Sequence, residues 1–457
     1  MKQLSLSLAI AVSIFSFFTA NSQSAYDAGI VSIDSPQVFC PGVHNIVASL
    51  QNFGNNMLDS VIINWQINSA TQTQINWTTQ LDTAGGLGPN VTQVVLGSRN
   101  FVLGQADTIK AWTTLPNGVP DTSNANDSAV AIISAALSGT FTIGGTNPDF
   151  ATFTDAVNEI TIYGVCGPVV FNVRNGTYNE QISIPEITGS SGTNSITFQS
   201  ELGDSSLVVL TYSANSTNNY TLRLVDADNF IFRQVTIEAL NTSYGSAIVL
   251  LSGSNYNSFE NNELRGVSTS TTGNATRRAV VYTSGLPNSH NIFTNNRIVN
   301  GTYGLYLRGS SSALTHGTTI EANRFENQYY MGIYLSYHNA PFVNENIIAT
   351  NSAYTSFYGI SMSSCDSSLQ VSKNKITINN SGYGISLVYC DGTDSNRGLS
   401  ANNFIHVGGT GTARGISCYG SVYQNFYYNN VNITSTHNFN GRCGLFTGGS
   451  QLNIVNT

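Results

Sequence analysis

Charge is scarce in this sequence. Asp, Glu, Lys and Arg make up 9% of the residues, 17 basic against 25 acidic, for a net charge of −8; an ordinary soluble chain devotes about a quarter of its residues to charge. A nucleic acid or an anionic bilayer calls for a basic stripe, so neither is an expected partner. Cysteine is scarce too. Six in 457 residues cannot staple a scaffold of this size, and neither they nor the six scattered histidines show the paired spacing of a zinc site. Apolar runs long enough to cross a bilayer are missing after residue 20, which excludes a helical membrane span downstream.

What is present begins with an export signal. Lys2 precedes an apolar run from Leu4 to Ala20, and polar Asn21 to Ser24 follow, the flanks and size of a cleavable signal over residues 1–24. The mature chain is expected to be secreted or held at the cell surface, with no membrane span after cleavage, and to be a monomer. In an oxidising compartment cysteines can pair; the pairing of Cys40 and Cys166 stays open.

Residues 25–135 read as short alternating strands, Ile30 to Ile33, His44 to Leu50, Ser60 to Ile67, Val91 to Leu96 and Thr108 to Trp112. Turn residues such as Asn52, Gly54, Gly85 and Asn117 separate them, which predicts a β-sandwich. The run ASLQNFGNNMLDSVIINWQIN resembles the adhesion-related immunoglobulin-like domains of bacterial secreted proteins. PDTSNANDSAV closes this unit; its Asp121, Asn124, Asn126 and Asp127 form either a solvated linker or an incomplete calcium site, since a full loop needs more ligands in fixed order. No cofactor is required by any motif, and calcium is the one ion for which oxygen ligands gather.

An amphipathic helix is predicted next, starting at Asn147 and Pro148 and presenting Phe150, Phe153, Val157 and Ile160 on one face. From there to the end, residues 136–457, a repeat takes over. Gly304, Gly332, Gly359, Gly384, Gly415 and Gly444 each open an alternating apolar strand, at separations of 28, 27, 25, 31 and 29. Asn262, Asn296, Asn323, Asn346, Asn374, Asn403 and Asn430 recur in phase. A unit of this length cannot bury its apolar face alone, so successive units must stack as the coils of a parallel β-helix. Asn is expected in the tight turn because it tolerates left-handed backbone angles and its amide can bond to the Asn above and below. FATFTDAVNEI, GPVVFNVRNGTYNEQISIP and NSITFQSE resemble the first coils of the pectin methylesterase and pectate-lyase-like superfamily. That resemblance implies right-handedness. The fold class is thus all-β, a right-handed parallel β-helix behind an N-terminal β-sandwich, and LNIVNT stops in mid-repeat, so the chain is expected to continue beyond Thr457.

The resemblance does not extend to catalysis. DNFIFRQVTIE from Asp228 keeps only the apolar rhythm of the strand that supplies the paired aspartates of pectin methylesterases. The Asn-Thr-Asp, Gly-His-Gly and Arg-Ile-Lys motifs of polygalacturonases and the Trp-Ile-Asp-His of pectate lyases are absent, so fold does not become activity.

Counting from each glycine places Ser310, His338, Cys365 and Cys390 at one offset, and Ser311, Asn339, Asp366 and Asp391 at the next. Coils about 4.8 Å apart would make Asp366 and Asp391 neighbours, with Asp394 in the following loop and His338 nearby. Such a cluster is either a set of turn residues or a site for acid-base chemistry or cation binding. Cys365 and Cys390 should be adjacent, within disulfide reach, whereas Cys418 and Cys443 should not pair. Ile333, Leu335, Ile360, Met362, Ile385 and Leu387 should point inward, Tyr334, Ser361 and Ser386 outward. Tyr306, Arg308 and Tyr334 share an outward face, where aromatic rings either stack on sugars or pack on one another. The leading expectation is a β-helix that binds extracellular polysaccharide or cell-surface glycan or mediates attachment. The alternatives are a lyase or hydrolase of an uncommon family, or a passive spacer.

Overall fold

The computed structural model describes residues 24–121, 123–272, 275–283, 285–436 and 442–456; the export signal lies outside them, except for Ser24. The chain divides into two units, one of residues up to Gln37 together with Pro41–Ala135, the other of Val38–Cys40 and Ala136–Thr457.

The first unit is antiparallel. Gly42–Asn52 lies between Ala28–Ser35 and Val91–Phe101 in one sheet; Val61–Ile67, Ala106–Thr114 and Ser128–Ser134 form the core of the other. Val61–Ile67 buries every second residue, and Ile63, Trp65, Ile109 and Ala111 are almost wholly covered. Two such sheets are the expected sandwich. PDTSNANDSAV is not a linker, however, because the strand Ser128–Ser134 of the same sheet begins within it. Asp121 accepts the Ala28 amide at 3.0 Å and Asn126 donates to Asp27 at 2.8 Å, stitching the run to the first strand.

The second unit is a parallel β-solenoid of about 11 turns. A first sheet of 12 strands runs from Leu137–Ile143 to Asn453–Val455, a second of 10 from Gly176–Asn179 to Asn430–Ile433, and a third of 10 from Ile182–Ile184 to Arg442–Ser450. Each coil contributes one strand to each sheet. Apolar side chains stack in columns inside. In the first sheet Phe171, Phe198, Phe232, Phe259 and Phe293 pair in register, with successive ring centroids 4.7, 5.4, 5.5 and 5.2 Å apart, each contact worth about 0.5–1.5 kcal/mol beyond burial. Ile333, Leu335, Ile360, Met362, Ile385 and Leu387 are buried as expected. Ser361 and Ser386 alternate outward with Tyr334, yet are so small that only 8% and 5% of each is exposed.

The helix is Phe153–Tyr163, later than the Asn-Pro start suggested. Thr152 caps it, accepting the Asp155 amide while Asp155 accepts the Thr152 amide, and this reciprocal cap outcompetes the Pro signal. Phe150 bridges to Ile143 instead. Beside it, Cys40 and Cys166 are joined in a disulfide.

The repeat's two marks have distinct causes. A Cβ at Gly359 would sit 2.6 Å from the Gly384 carbonyl oxygen and 2.7 Å from Ile376; the same obstruction recurs at Gly304 and Gly332, so only glycine fits in these strands where the next coil's backbone comes this close. The asparagines form a ladder of Asn262, Asn296, Asn323, Asn346, Asn374, Asn403 and, in place of Asn430, Asn429. From Asn296 on, each amide oxygen accepts the backbone N–H of the asparagine one coil before it, at 2.9–3.1 Å, and that of Asn262 accepts the Val235 N–H. The left-handed residue is not the ladder asparagine but the one before it: Asn261, Asn295, Ala322, Glu345, Lys373, Asn402 and Tyr428 have φ of 54–57°. Asn is there for its buried amide. Tolerance of φ > 0 is met by whatever residue precedes it.

Candidate functional site

The coil register settles the acidic cluster first. Ser310 and Ser311 do not join the columns assigned by counting, because residues between Gly309 and Thr315 loop out, and Thr315 and His316 pair with His338 and Asn339. Asn339 then bridges to Asp366. His338 is only 2% exposed; its ring is held by Thr318 Oγ1 at 3.0 Å and the Leu307 carbonyl at 3.2 Å, and burial lowers its pKa to about 4. It is a neutral interior group, removed from any ligand. Asp366 accepts the Asp391 amide at 3.2 Å, and Asp391 accepts that of Val422 at 3.2 Å. Burial raises the Asp366 pKa, and the Asp391 charge adds to this against the lowering by the amide. These two carboxylates are neighbours, as stacking requires, but each holds the next coil's backbone. Asp394 is exposed and paired with Arg397 at 2.9 Å. Cys365 and Cys390 are adjacent, both buried as free thiols in hydrogen-bond contact but with no disulfide between them, and Cys418 and Cys443 are not disulfide-bonded either.

The outer face of the third sheet offers a different constellation. In-register pairing places Arg223, Val249, Tyr282, Tyr306, Tyr334 and Ser361 in one column. Tyr282 stacks on Tyr306 at 5.4 Å and Tyr306 on Tyr334 at 4.9 Å. A second column holds Tyr303, Met331, Tyr358, Tyr383 and Arg414, with Tyr358 and Tyr383 stacked at 4.5 Å. Tyr303 is buried among its tyrosine neighbours, while the rings of the first column are half-open. Burial raises the pKa of Tyr306, and that of Tyr358 to about 12, so their hydroxyls stay protonated and both donate and accept.

Two hollows open on this face. One, about 360 Å³, is lined by Asn219, Tyr220, Arg223, Arg277 and Tyr282; the other, about 380 Å³, by Arg308, Ser310, Ser311 and Tyr337. Arg223 lies over Tyr220 at 4.3 Å, Arg277 over Tyr244 at 5.6 Å and Arg308 over Tyr337 at 6.0 Å. Neither lining includes a carboxylate, so the hollows carry no acid-base pair. Tyr306, Arg308 and Tyr334 were legible in the sequence; Arg223, Arg277 and Tyr220 were missed, since their coils lack the glycine mark that set the register.

An antiparallel sandwich followed by a parallel β-helix with an aromatic outer face defines the class of protein. Within it, residues 268–441 match the family described as Periplasmic copper-binding protein (NosD), while no curated protein matches the chain. Among solved structures, it is similar to a GH136 lacto-N-biosidase from Eubacterium ramulus (9% identity, 69% of this chain and 67% of that one, TM-score 0.41). It is also similar to a pectin methylesterase in complex with a hexasaccharide (14%, 59% and 80%, TM-score 0.35). The third is the CARDB domain of a Pyrococcus furiosus protein (21%, 25% and 99%, TM-score 0.20).

The metal in that family's description can be tested on this chain's residues. Among the described residues no three His, Cys, Asp or Glu side chains gather as a metal set; the thiols of Cys365 and Cys390 are buried, and both ring nitrogens of His338 are hydrogen-bonded. The residues do not fit. In the first unit, Asn126 Oδ1 and Asp127 Oδ1 are buried without a hydrogen-bond partner, and burial, with Asp121 and Asp27 nearby, raises Asp127 to about 6.

Proposed function

We propose that the solenoid is a secreted or surface-held module that binds extracellular polysaccharide along the outer face of its third sheet, without cleaving it. The observation that carries this reading is the half-open stack of Tyr282, Tyr306 and Tyr334 between two polar hollows. The ring faces are stacked on one another, so a pyranose would meet their outward edges, apolar carbon with a hydroxyl at the tip. The carboxylate-free linings speak against hydrolysis there, which needs paired acids. The family description's periplasmic location and the absence, among the described residues, of any helix long and apolar enough to cross a membrane support a place outside the cytoplasm. A glycan array read alongside a reducing-end release assay on the mature chain tests the proposal. Binding without release, weakened by Tyr306→Ala with Tyr334→Ala, is the expected result; release of reducing ends, or binding indifferent to both changes, refutes it.

A further inference from the structure

Six of the fourteen Lys and Arg residues of the solenoid pair with carboxylates. On the second sheet Arg265 contacts Glu238 and Glu263, Arg297 contacts Glu263 and Glu326, and Arg324 contacts Glu326. Elsewhere Lys373 pairs with Glu345, Arg174 with Glu201 and Arg397 with Asp394. On the outer face of the third sheet no such pair forms among the described residues. Among the described residues, none of Arg223, Arg277, Arg308 or Arg414 takes part in an ion pair. Each instead lies against an aromatic ring, Arg414 being over Tyr383 at 5.5 Å and Phe446 at 3.8 Å. In a chain of net charge −8 with only 17 basic residues, four guanidiniums left without carboxylates on one face are a concentration of available positive charge.

We propose that the glycan held on this face is polyanionic, carrying carboxylate or sulfate groups, and that Arg223, Arg277 and Arg308 receive those groups in the two hollows. This rests on the glycan-binding reading above and names its ligand class. A guanidinium lying over a tyrosine ring is positioned by that ring while its N–H edge stays free, and that edge matches a carboxylate or sulfate with two parallel hydrogen bonds. Arg223 is further fixed by its bond to Ser183 Oγ at 3.1 Å. The register from Arg223 through Val249 and Tyr282 to Tyr306 puts the strand of Arg308 three strands along the axis, about 14 Å at the usual strand spacing. A few linked sugars bridge that distance, lying against the outward edges of Tyr282 and Tyr306 with an anionic group at each end. A neutral glycan would gain nothing from arginines here, and the overall negative charge of the protein would repel a polyanion everywhere but at this face.

The test is titration calorimetry of the mature chain against polygalacturonate, dextran sulfate and neutral dextran of matched length. At least one polyanion should bind about tenfold or more tighter than neutral dextran, and salt raised well past the point where the Debye length falls below about 10 Å should weaken it. Arg223→Gln and Arg308→Gln should each weaken binding about five- to tenfold, the share of a charge-assisted bond, with Arg308→Lys falling between. Arg297→Gln, on the second sheet, should change nothing; circular dichroism confirms that each variant is folded. If neutral dextran binds as tightly as the polyanions and the arginine changes are silent, the polyanion proposal is overturned while glycan binding stands. If none of a broad glycan array binds, the glycan reading itself fails. If Arg297→Gln costs as much as Arg308→Gln, the attraction is diffuse and the assigned site is wrong.

Discussion

Asn346→Ala examines the ladder at its centre. Asn346 Oδ1 accepts the Asn323 backbone amide at 3.0 Å and the Asn323 side-chain amide at 3.1 Å, while its own Nδ2 donates to the Ile320 carbonyl at 2.9 Å and to Asn374 Oδ1 at 3.0 Å. Removing the side chain leaves the Asn323 N–H and the Ile320 carbonyl without these partners. Asn346, Asn323 and Ile320 are all at most 1% exposed, so water does not readily replace what is lost. At about 1–3 kcal/mol for each buried group left unsatisfied, the expected loss is about 2–6 kcal/mol. The matched control is Asn430→Ala, an exposed strand residue outside the ladder, where the expected change is within about 0.5 kcal/mol. Urea unfolding followed by far-ultraviolet circular dichroism measures both, compared as midpoint shifts because a solenoid need not unfold in one step. A loss below about 1 kcal/mol at Asn346, less than one orphaned group should cost, or an equal loss at Asn430, would refute the ladder as a source of stability.

Gly359→Ala forces a methyl against the Gly384 carbonyl at 2.6 Å and Ile376 at 2.7 Å, and should lower stability by about 1–3 kcal/mol as overpacking does; a melting point equal to wild type counts against the close approach of the next coil. Asp127, raised to about 6, binds its proton more tightly folded than unfolded, so its contribution to stability is present at low pH and is lost as pH rises through 6. Asp127→Asn should therefore melt higher than wild type at pH 7 and converge with it near pH 4; a variant equally or less stable at pH 7 contradicts this. Asp366→Asn with Asp391→Asn keeps both acceptors while removing two neighbouring charges, so stability at neutral pH should rise and glycan binding should not change. Loss of binding in that folded double variant would return the acidic cluster to the site.

The architecture was legible because a solenoid writes its geometry into sequence with a period. Gly359 and Gly384 recur for one reason, the close approach of a carbonyl in the next coil, and a reason repeated every coil survives as a pattern. Errors arose where a single coil departs from the period. The loop between Gly309 and Thr315 shifted Ser310 and Ser311 out of columns that counting had given them, and one residue separates the true ladder member Asn429 from Asn430. In the helix, the Thr152 cap and the Asn147-Pro148 pair compete as start signals, and the reciprocal Thr152–Asp155 bonds, with Phe150 drawn into a bridge to Ile143, decide between them.

The site was harder to read, for a physical reason. Offset counting finds residues at equal distance from a mark, but it does not say whether a side chain faces the interior or solvent after a turn. His338 shares its column with Cys365 and Cys390, and all three point into the coil, where the ring becomes a neutral hydrogen-bonded filler. Arg308, one residue past the inward Leu307 of its own strand, faces out beside Tyr337, which no spacing links to it. What distinguishes Arg308 from Arg297 is not position in the repeat but the absence of a carboxylate on the neighbouring strands. Tyr282, Tyr306 and Tyr334 occupy a place where Ser361 and Ser386 follow in the next two coils. The aromatic surface therefore ends because the side chains shrink, and the ligand-sized relief of the third sheet is set by residue volume that the repeat leaves free to vary.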